Sequence, residues 1–452
     1  MLLKYLLTIL GFFFLVTIYG QNPISPEGIF IADPSGHVWK DGRLYIYGSL
    51  DKSPNYFCSS DYHILSSSNL MNWVVSKNIF SLEEKNNPNK SKQEKILYAP
   101  DCGYINGKYC LFYCQPGAEA EGVAEANTPI GPFLNAKKMN IYGHNQIDPS
   151  IFTDNDGKNY YIWGQFDLKI AELKPNSTEI DSSTIFNNVI TEKEHFFHEG
   201  AFLTKKNDTY YLIYAHMGRK DKPTCLGYST SKSPIGPYQY RGVIIDNEGC
   251  DPSNWNNHGS IVEFQNQWYV LYHRATHGSQ SMRKACIEPI YFEADGSIKE
   301  VEMTSQGAGK PLIATDTIEA RRTCMINGNA RINSINPSTE VVNGILANDY
   351  IVFKYLDFGK GVDSISIKIK TSEKEGGFNL HIDKPWGEWK GYVHFPKSKQ
   401  KNKFQYIHYK INPIKGVHAI YLKFYGGNNT GFEIDNFIFH QSKNKISMPN
   451  ND

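Results

Sequence analysis

Between residues 37 and 273 the chain repeats one pattern of apolar and polar positions. A short strand-like run meets a two-residue turn centred on Gly or Asn/Asp, and a second run dense in aromatic and β-branched residues follows. The copies are HVWKDGRLYIYGS at 37–49, GYINGKYCLFYC at 103–114, SIFTDNDGKNYYIWG at 150–164, AFLTKKNDTYYLIYA at 201–215 and SIVEFQNQWYVLYH at 260–273. Their second runs align on Tyr47, Tyr113, Trp163, Tyr214 and Tyr272, at intervals of roughly 50–65 residues that suit one four-stranded sheet each. TPIGPF at 128–133 and SPIGPY at 233–238 repeat as well, supplying Gly-Pro turn chemistry for the outer part of the same unit. Five such units arranged in a ring predict a five-bladed β-propeller over 21–313, with its innermost strands around a central funnel.

The repeat stops at about residue 312. DTIEA, NDYIVFKYLDFG, SISIKIKTSEKEGGFNLHID, GVHAIYLKFYGG and FEIDNFIF alternate apolar and polar residues, which predicts an antiparallel β-sandwich over 314–442 and a polar tail at 443–452. The expected class is therefore all-β, a propeller followed by a jelly-roll sandwich. At the other end Lys4 precedes the apolar run LLTILGFFFLVTIYG, which predicts a signal peptide over 1–20 and export, to the periplasm or the medium. An uncleaved anchor is the alternative reading, although the run is short for a span of about 20 residues. No later stretch is long and apolar enough to cross a bilayer, so no membrane association is expected after signal removal.

Charge changes the picture by exclusion. With 47 Lys+Arg against 46 Asp+Glu and no basic stripe, the chain lacks the surface that nucleic acid requires, and a neutral partner and a monomer are expected. Eight cysteines lie scattered at 58, 102, 110, 114, 225, 250, 286 and 324. Cys110 and Cys114, four apart on one strand, are too distant to bridge each other and read as buried thiols. With no CxxC or HExxH segment, a zinc site has little support.

In a propeller the residues that open each innermost strand converge on the axis, and three of the five repeats place an acid there. Asp33 lies in IADPSGHVW, Asp148 in QIDPSIF and Glu199 in HEGAFL. These motifs, in this order and spacing, resemble glycoside hydrolase family 43, the arabinofuranosidase, xylosidase and arabinanase group, from about Pro26 to Leu312. The resemblance implies Asp33 as general base, Asp148 as the residue that orients and tunes the acid, and Glu199 as general acid. A glycosidase of this kind needs one protonated and one ionised carboxyl on opposite sides of the scissile bond, about 6.5–9.5 Å apart if the anomeric centre inverts. A like charge at Asp148 is expected to keep Glu199 protonated. The same resemblance suggests His258, in NNHGS, at the axis beside a metal or water, and Arg274, in LYHRA, on the sugar; His198, next to the acid in sequence, is a further candidate for substrate binding. Trp39, Trp163 and Phe166 are candidate stacking platforms for the sugar. The polar insertion at 81–97 is long enough to wall off one end of a groove.

The sandwich resembles a family 6 carbohydrate-binding module, most specifically at GVHAIYLKF and FEIDNFIF. Arg321 stands where that family usually has an acidic residue at its calcium site, which leaves Glu319 and Asp435 as oxygen ligands. Phe404, Tyr406 and Asn428, or Trp386 and Trp389 in PWGEW, are the aromatic and polar residues available for a sugar site. A structural role, shielding one side of the propeller, is the other reading. No cofactor is expected for the chemistry, with calcium left open at the axis or in the sandwich. The expected function is an inverting, exo-acting α-L-arabinofuranosidase on plant polysaccharide or its oligosaccharides. β-Xylosidase, β-galactofuranosidase, endo-arabinanase and a non-catalytic glycan-binding propeller are the alternatives.

Overall fold

The computed structural model describes residues 20–82, 96–117, 121–371, 374–397, 403–426 and 431–441. The apolar run up to Tyr19, most of the insertion at 81–97, Asn428 and the polar tail lie outside them.

Five antiparallel sheets surround one axis. Blade 1 comprises Ile31–Val38, Leu44–Leu50, Asp61–Ser67 and Val74–Ser81, and blade 2 Asp101–Ile105, Lys108–Tyr113, Gly122–Ala126 and Leu134–Lys138. Blade 3 comprises Ser150–Thr153, Asn159–Trp163 and Lys169–Glu172, and blade 4 Phe197–Lys206, Thr209–His216, Cys225–Ser231 and Gln239–Asp246. Blade 5 comprises Ser260–Phe264, Gln267–Thr276 and Ser279–Ile290. The turns follow the chemistry of their residues: Asn106-Gly107 and Gln265-Asn266, each between paired strands, are left-handed at both positions, which matches the twist of a tight hairpin. The two Ile-Gly-Pro segments lead into the outermost strands of blades 2 and 4.

The aromatic second strands are apolar on both sides because each is buried on both faces. In blade 1, Tyr45 and Tyr47 pack towards blade 2, whereas Leu44 and Ile46 pack towards blade 5. Each pair of neighbouring blades shares one such cluster, and together the five clusters form the propeller core. Blade 5 is completed from the start of the chain. Ile24 N donates to Ala285 O at 2.9 Å, Ile287 N donates to Asn22 Oδ1 at 2.9 Å, and Ala285 N donates to Ser25 Oγ at 3.1 Å. That segment covers the open edge of the strand and closes the ring.

The sandwich begins at Leu312–Ile313 and packs two sheets over a core of aliphatic and Phe side chains. One sheet runs Leu312–Ile313, Tyr350–Asp357, Val417–Gly426, Gly376–Ile382, Trp389–Phe395, and the other Arg331–Asn336, Thr339–Asn343, Glu433–Gln441, Val362–Lys370, Gln405–Ile414. All eight cysteines are buried free thiols.

Candidate active site

Backbone irregularities aim the acids. Strand Ile31–Val38 pairs Ala32 with Ser49 and then Ser35 with Tyr47, so Asp33 and Pro34 together face Gly48 across a bulge. Asp33 adopts a left-handed φ of 52°, and a Cβ on Gly48 would sit 2.2 Å from Ala32 O. Asp148, also left-handed at φ 57° and also followed by proline, opens blade 3. Glu199 lies between two register shifts of strand Phe197–Lys206. The next residue, Gly200, has φ 66°, and a Cβ there would lie 2.6–2.8 Å from the His258 ring. Bulges and left-handed residues turn a side chain out of the strand's regular alternation, here towards one end of the axis.

That end holds a cavity of about 490 Å³ lined by Asp33, Asp148, Glu199, His198, His258 and Arg283, with Phe57, Tyr98, Gln165 and Trp255 on its walls. Below it, Asp148, His258 and Asp101 border a constriction of only about 10 Å³. Two donors hold the Asp33 carboxylate, Arg283 Nη1 on Oδ1 at 2.7 Å and Ser49 on Oδ2, and the Asp33 N–H donates to His273 Nδ1 at 3.2 Å. Burial alone would raise its pKa, but the Arg283 charge foremost outweighs burial and holds it well below the usual carboxylate range. Arg283 is fixed in turn by a bidentate pair with Asp51, at 2.9 and 3.0 Å. His258 Nδ1 lies 3.6 Å from Asp33 and 3.8 Å from Asp148, and burial lowers its pKa despite the Asp33 and Glu199 charges, which leaves a neutral imidazole at pH 7. Glu199 accepts a hydrogen bond from Gln165 Nε2 at 2.8 Å.

Asp148 behaves opposite to Asp33. Burial first, and the Glu199 and Asp33 charges next, push its pKa well above the ordinary value. The folded protein therefore holds a proton there that the unfolded chain releases above about pH 4, so the negative charge expected at Asp148 to keep Glu199 protonated is itself neutralised by burial and its neighbours. Wild-type stability falls as pH rises through that window, and Asn, which does not titrate, avoids the loss. Asp148→Asn is expected to raise Tm at pH 8, by roughly 2–4 °C per kcal/mol gained, to leave Tm unchanged near pH 3, and to cost activity. Thermal melts at the two pH values check this.

The structure brings Asp33, Asp148, Glu199, His198 and His258 together and sends other expected residues elsewhere. Trp39 lies six residues beyond Asp33, about 20 Å along an extended strand. It lines a separate cavity of about 440 Å³ at the opposite mouth, stacked on His37. Trp163 is fully buried between blades 2 and 3, its Nε1 donating to His144 O at 2.6 Å. Arg274 belongs to the second strand of its blade and is buried against Tyr272 OH and Thr304 O, so the sugar contact expected of it is not available. Its neighbour His273 is the residue that meets Asp33. Phe166 is half exposed and sets its ring edge-to-face with His198.

The expected calcium ligands of the sandwich are likewise corrected: Glu319 is paired with Arg321 and Arg322 at 2.7 and 2.8 Å, and Asp435 with Lys368 at 2.6 Å. Carboxylates so neutralised are poor ligands for a hard cation. Among the described residues no three His, Cys, Asp or Glu side chains converge as a metal cage. Trp386 and Trp389 are exposed, with Lys423 Nζ over the Trp386 ring at 3.2 Å.

Two axial residues escaped the sequence reading. Asp101 opens blade 2 where the other acids open theirs. Its carboxylate takes bonds from Ser35, from the Ile151 N–H at 2.8 Å and from His37 at 2.6 Å, tying three blades together. The rule that found the other acids applies to it as well. Arg283, from a third strand, carries no such local signal.

Two family descriptions match the chain: glycosyl hydrolases family 43 over residues 20–298 and carbohydrate binding module family 6 over 324–441. A xylosidase/arabinosidase of Thermoclostridium stercorarium is 29% identical over 91% of this chain and 97% of its own length. An arabinoxylan arabinofuranohydrolase of Bacillus subtilis is 27% identical over 93% of this chain and 92% of its own length. The crystal structure of a Bacillus subtilis family 43 arabinoxylan arabinofuranohydrolase in complex with cellotetraose superposes with a TM-score of 0.53 at 25% identity, covering 94% of this chain and 99% of that one.

Proposed function

The chain belongs to the family 43 glycosyl hydrolases, with a family 6 carbohydrate-binding module behind its catalytic propeller, and from that premise we propose that it is an inverting, exo-acting α-L-arabinofuranosidase on arabinoxylan-type polysaccharide or its oligosaccharides. The observation that carries this is the meeting of Asp33 and Glu199 in one cavity of about 490 Å³, closed below by the axial constriction. Asp33, held ionised by Arg283, takes a proton from a water whose oxygen attacks the anomeric carbon. Glu199 gives its proton to the glycosidic oxygen as the bond breaks, and Gln165 holds its carboxyl in place. Asp148 supplies a second carboxyl beside the acid and neutral His258 spaces it from the base. His198, tied to Glu192 at 3.1 Å, lines the wall beside Glu199.

The chemistry calls for no cofactor. At the axis His258 would supply a cation with one ring nitrogen, while Asp33 is committed to Arg283 and Ser49, so no step is assigned to calcium. The apolar run ahead of residue 20 supports export, and a single chain carries the whole site, which supports action as a monomer.

β-Xylosidase action on the same site is the second reading, because a full-length relative is named for both activities. The test is a panel of aryl furanosides and pyranosides followed by arabinoxylan, with the product anomer read by NMR within the first turnovers. Release of arabinose with inverted configuration is expected. Release of xylose alone moves the assignment to β-xylosidase, retention overturns the inverting mechanism, and silence throughout overturns the proposed activity in favour of a glycan-binding propeller.

A further inference from the structure

We infer that the C-terminal sandwich is part of the catalytic scaffold, with Glu340 acting as a positioning residue for Asp33 through strand Ser279–Ile290. This rests on Asp33 being the general base. Successive side chains of a strand face opposite ways. Arg283 points to the axis and holds Asp33, while Lys284 points outward to the sandwich, its Nζ 2.7 Å from Glu340 Oε1 and 2.8 Å from Pro26 O. The Lys284 and Glu340 side chains are both 1% exposed. Glu340 is built into the propeller's closing segment as well: its Oε1 accepts from Gly28 N at 3.1 Å, and its own N–H donates to Glu27 Oε1 at 3.0 Å. A buried ion pair is costly to desolvate and depends on close partners; Glu340 gathers Lys284 and the Gly28 N–H on Oε1, while its Oε2 has no hydrogen-bond partner among the described residues, so the pair tolerates little displacement of sandwich against strand.

The sandwich holds the same strand a second time, at the hairpin that starts it. His277 Nε2 meets Ser334 Oγ at 2.9 Å, and Arg331 approaches Asp251 at 3.8 Å where Asp251 accepts from Gly278 N at 3.0 Å. From that end Ser279 and Ser281 donate to Pro54 O and Ser53 O, at 2.7 and 3.0 Å, and anchor the loop whose Phe57 ring lies 4.9 Å from the Arg283 guanidinium. A module tethered only to capture polysaccharide needs neither contact. A strand gripped at its start and its middle cannot drift, and a drift of about 1 Å at a catalytic group is enough to cost on the order of 10²-fold in rate.

The groups facing Asp33 are Arg283, His258, His273 and the Asp148 carboxyl, which burial and its neighbours keep protonated. If the strand slackens, the Arg283 contact weakens first, and burial then raises the pH at which Asp33 ionises. The test uses the full chain and an aryl glycoside too small to reach the sandwich. Glu340→Gln is expected to lower kcat about tenfold with KM within about twofold, and to move the acid limb of the kcat/KM profile to higher pH. Glu340→Asp should recover part of both. Arg331→Gln, at the more exposed end of the contact, should shift both in the same direction by less, and it serves if Glu340→Gln does not fold. A folded Glu340→Gln with lowered Tm but wild-type kcat and acid limb would overturn the positioning role while leaving the hydrolase assignment intact. A wild type silent on every glycoside would instead strike the proposed function, and this inference with it.

Discussion

Glu199→Gln is expected to lower kcat by about 10²–10⁴-fold on a natural glycoside, the range that a positioned general acid contributes. The loss should shrink as the leaving group improves, because a nitrophenolate departs without protonation whereas a sugar alkoxide does not. Gln keeps the contour of Glu199 and its contact with Gln165, so KM and Tm should stay near wild type. Measuring kcat against leaving-group pKa for both enzymes checks the assignment. A slope that is the same in both would remove Glu199 from the acid role.

Asp33→Asn should lose a similar 10²–10⁴-fold, but without dependence on the leaving group, since the step it impairs is activation of water. Asn tolerates the left-handed φ of 52° that residue 33 adopts, so the backbone has no reason to move. Stability carries a second signature. The pKa of Asp33 is depressed, so its contribution is fully present above the ordinary aspartate range and disappears only as acidification approaches the depressed value. Removing it leaves buried Arg283 with Asp51 as its remaining carboxylate partner, and Tm at pH 7 should fall. Asp148→Asn, whose wild-type carboxyl is shifted the other way, should raise it. Two isosteric Asp→Asn changes at one cavity are thus expected to move Tm in opposite directions while both reduce turnover. Parallel shifts in Tm would contradict the electrostatic account of the site.

The fold was legible because its information is local. Strand, turn and burial on both faces are each written within about fifteen residues, and repeating the unit five times makes the ring. Asp33, Asp148 and Glu199 were legible for the same reason: each sits at a fixed place in its repeat, and the fold carries that place to the axis. Asp101 obeys the same rule, opening blade 2 and reaching across to the Ile151 N–H of blade 3.

The residues that went astray depend on distances along and between strands. Trp39 follows the correct strand but lies just past its far end, and Trp163 and Arg274 belong to second strands, one layer out from the axis. Nothing in the local sequence distinguishes an aromatic that floors a pocket from one that fills the space between blades. The partner of Asp33, Arg283, lies 250 residues away in sequence, and Glu340, which pairs with the next residue of that strand, belongs to the other domain. Local patterning determined the blades, the sandwich and the three carboxyls. Which cations pair with which acids, and hence which carboxyl is ionised, was decided only when the ring closed and the sandwich docked, because a charge pair is set by separation in space and by desolvation.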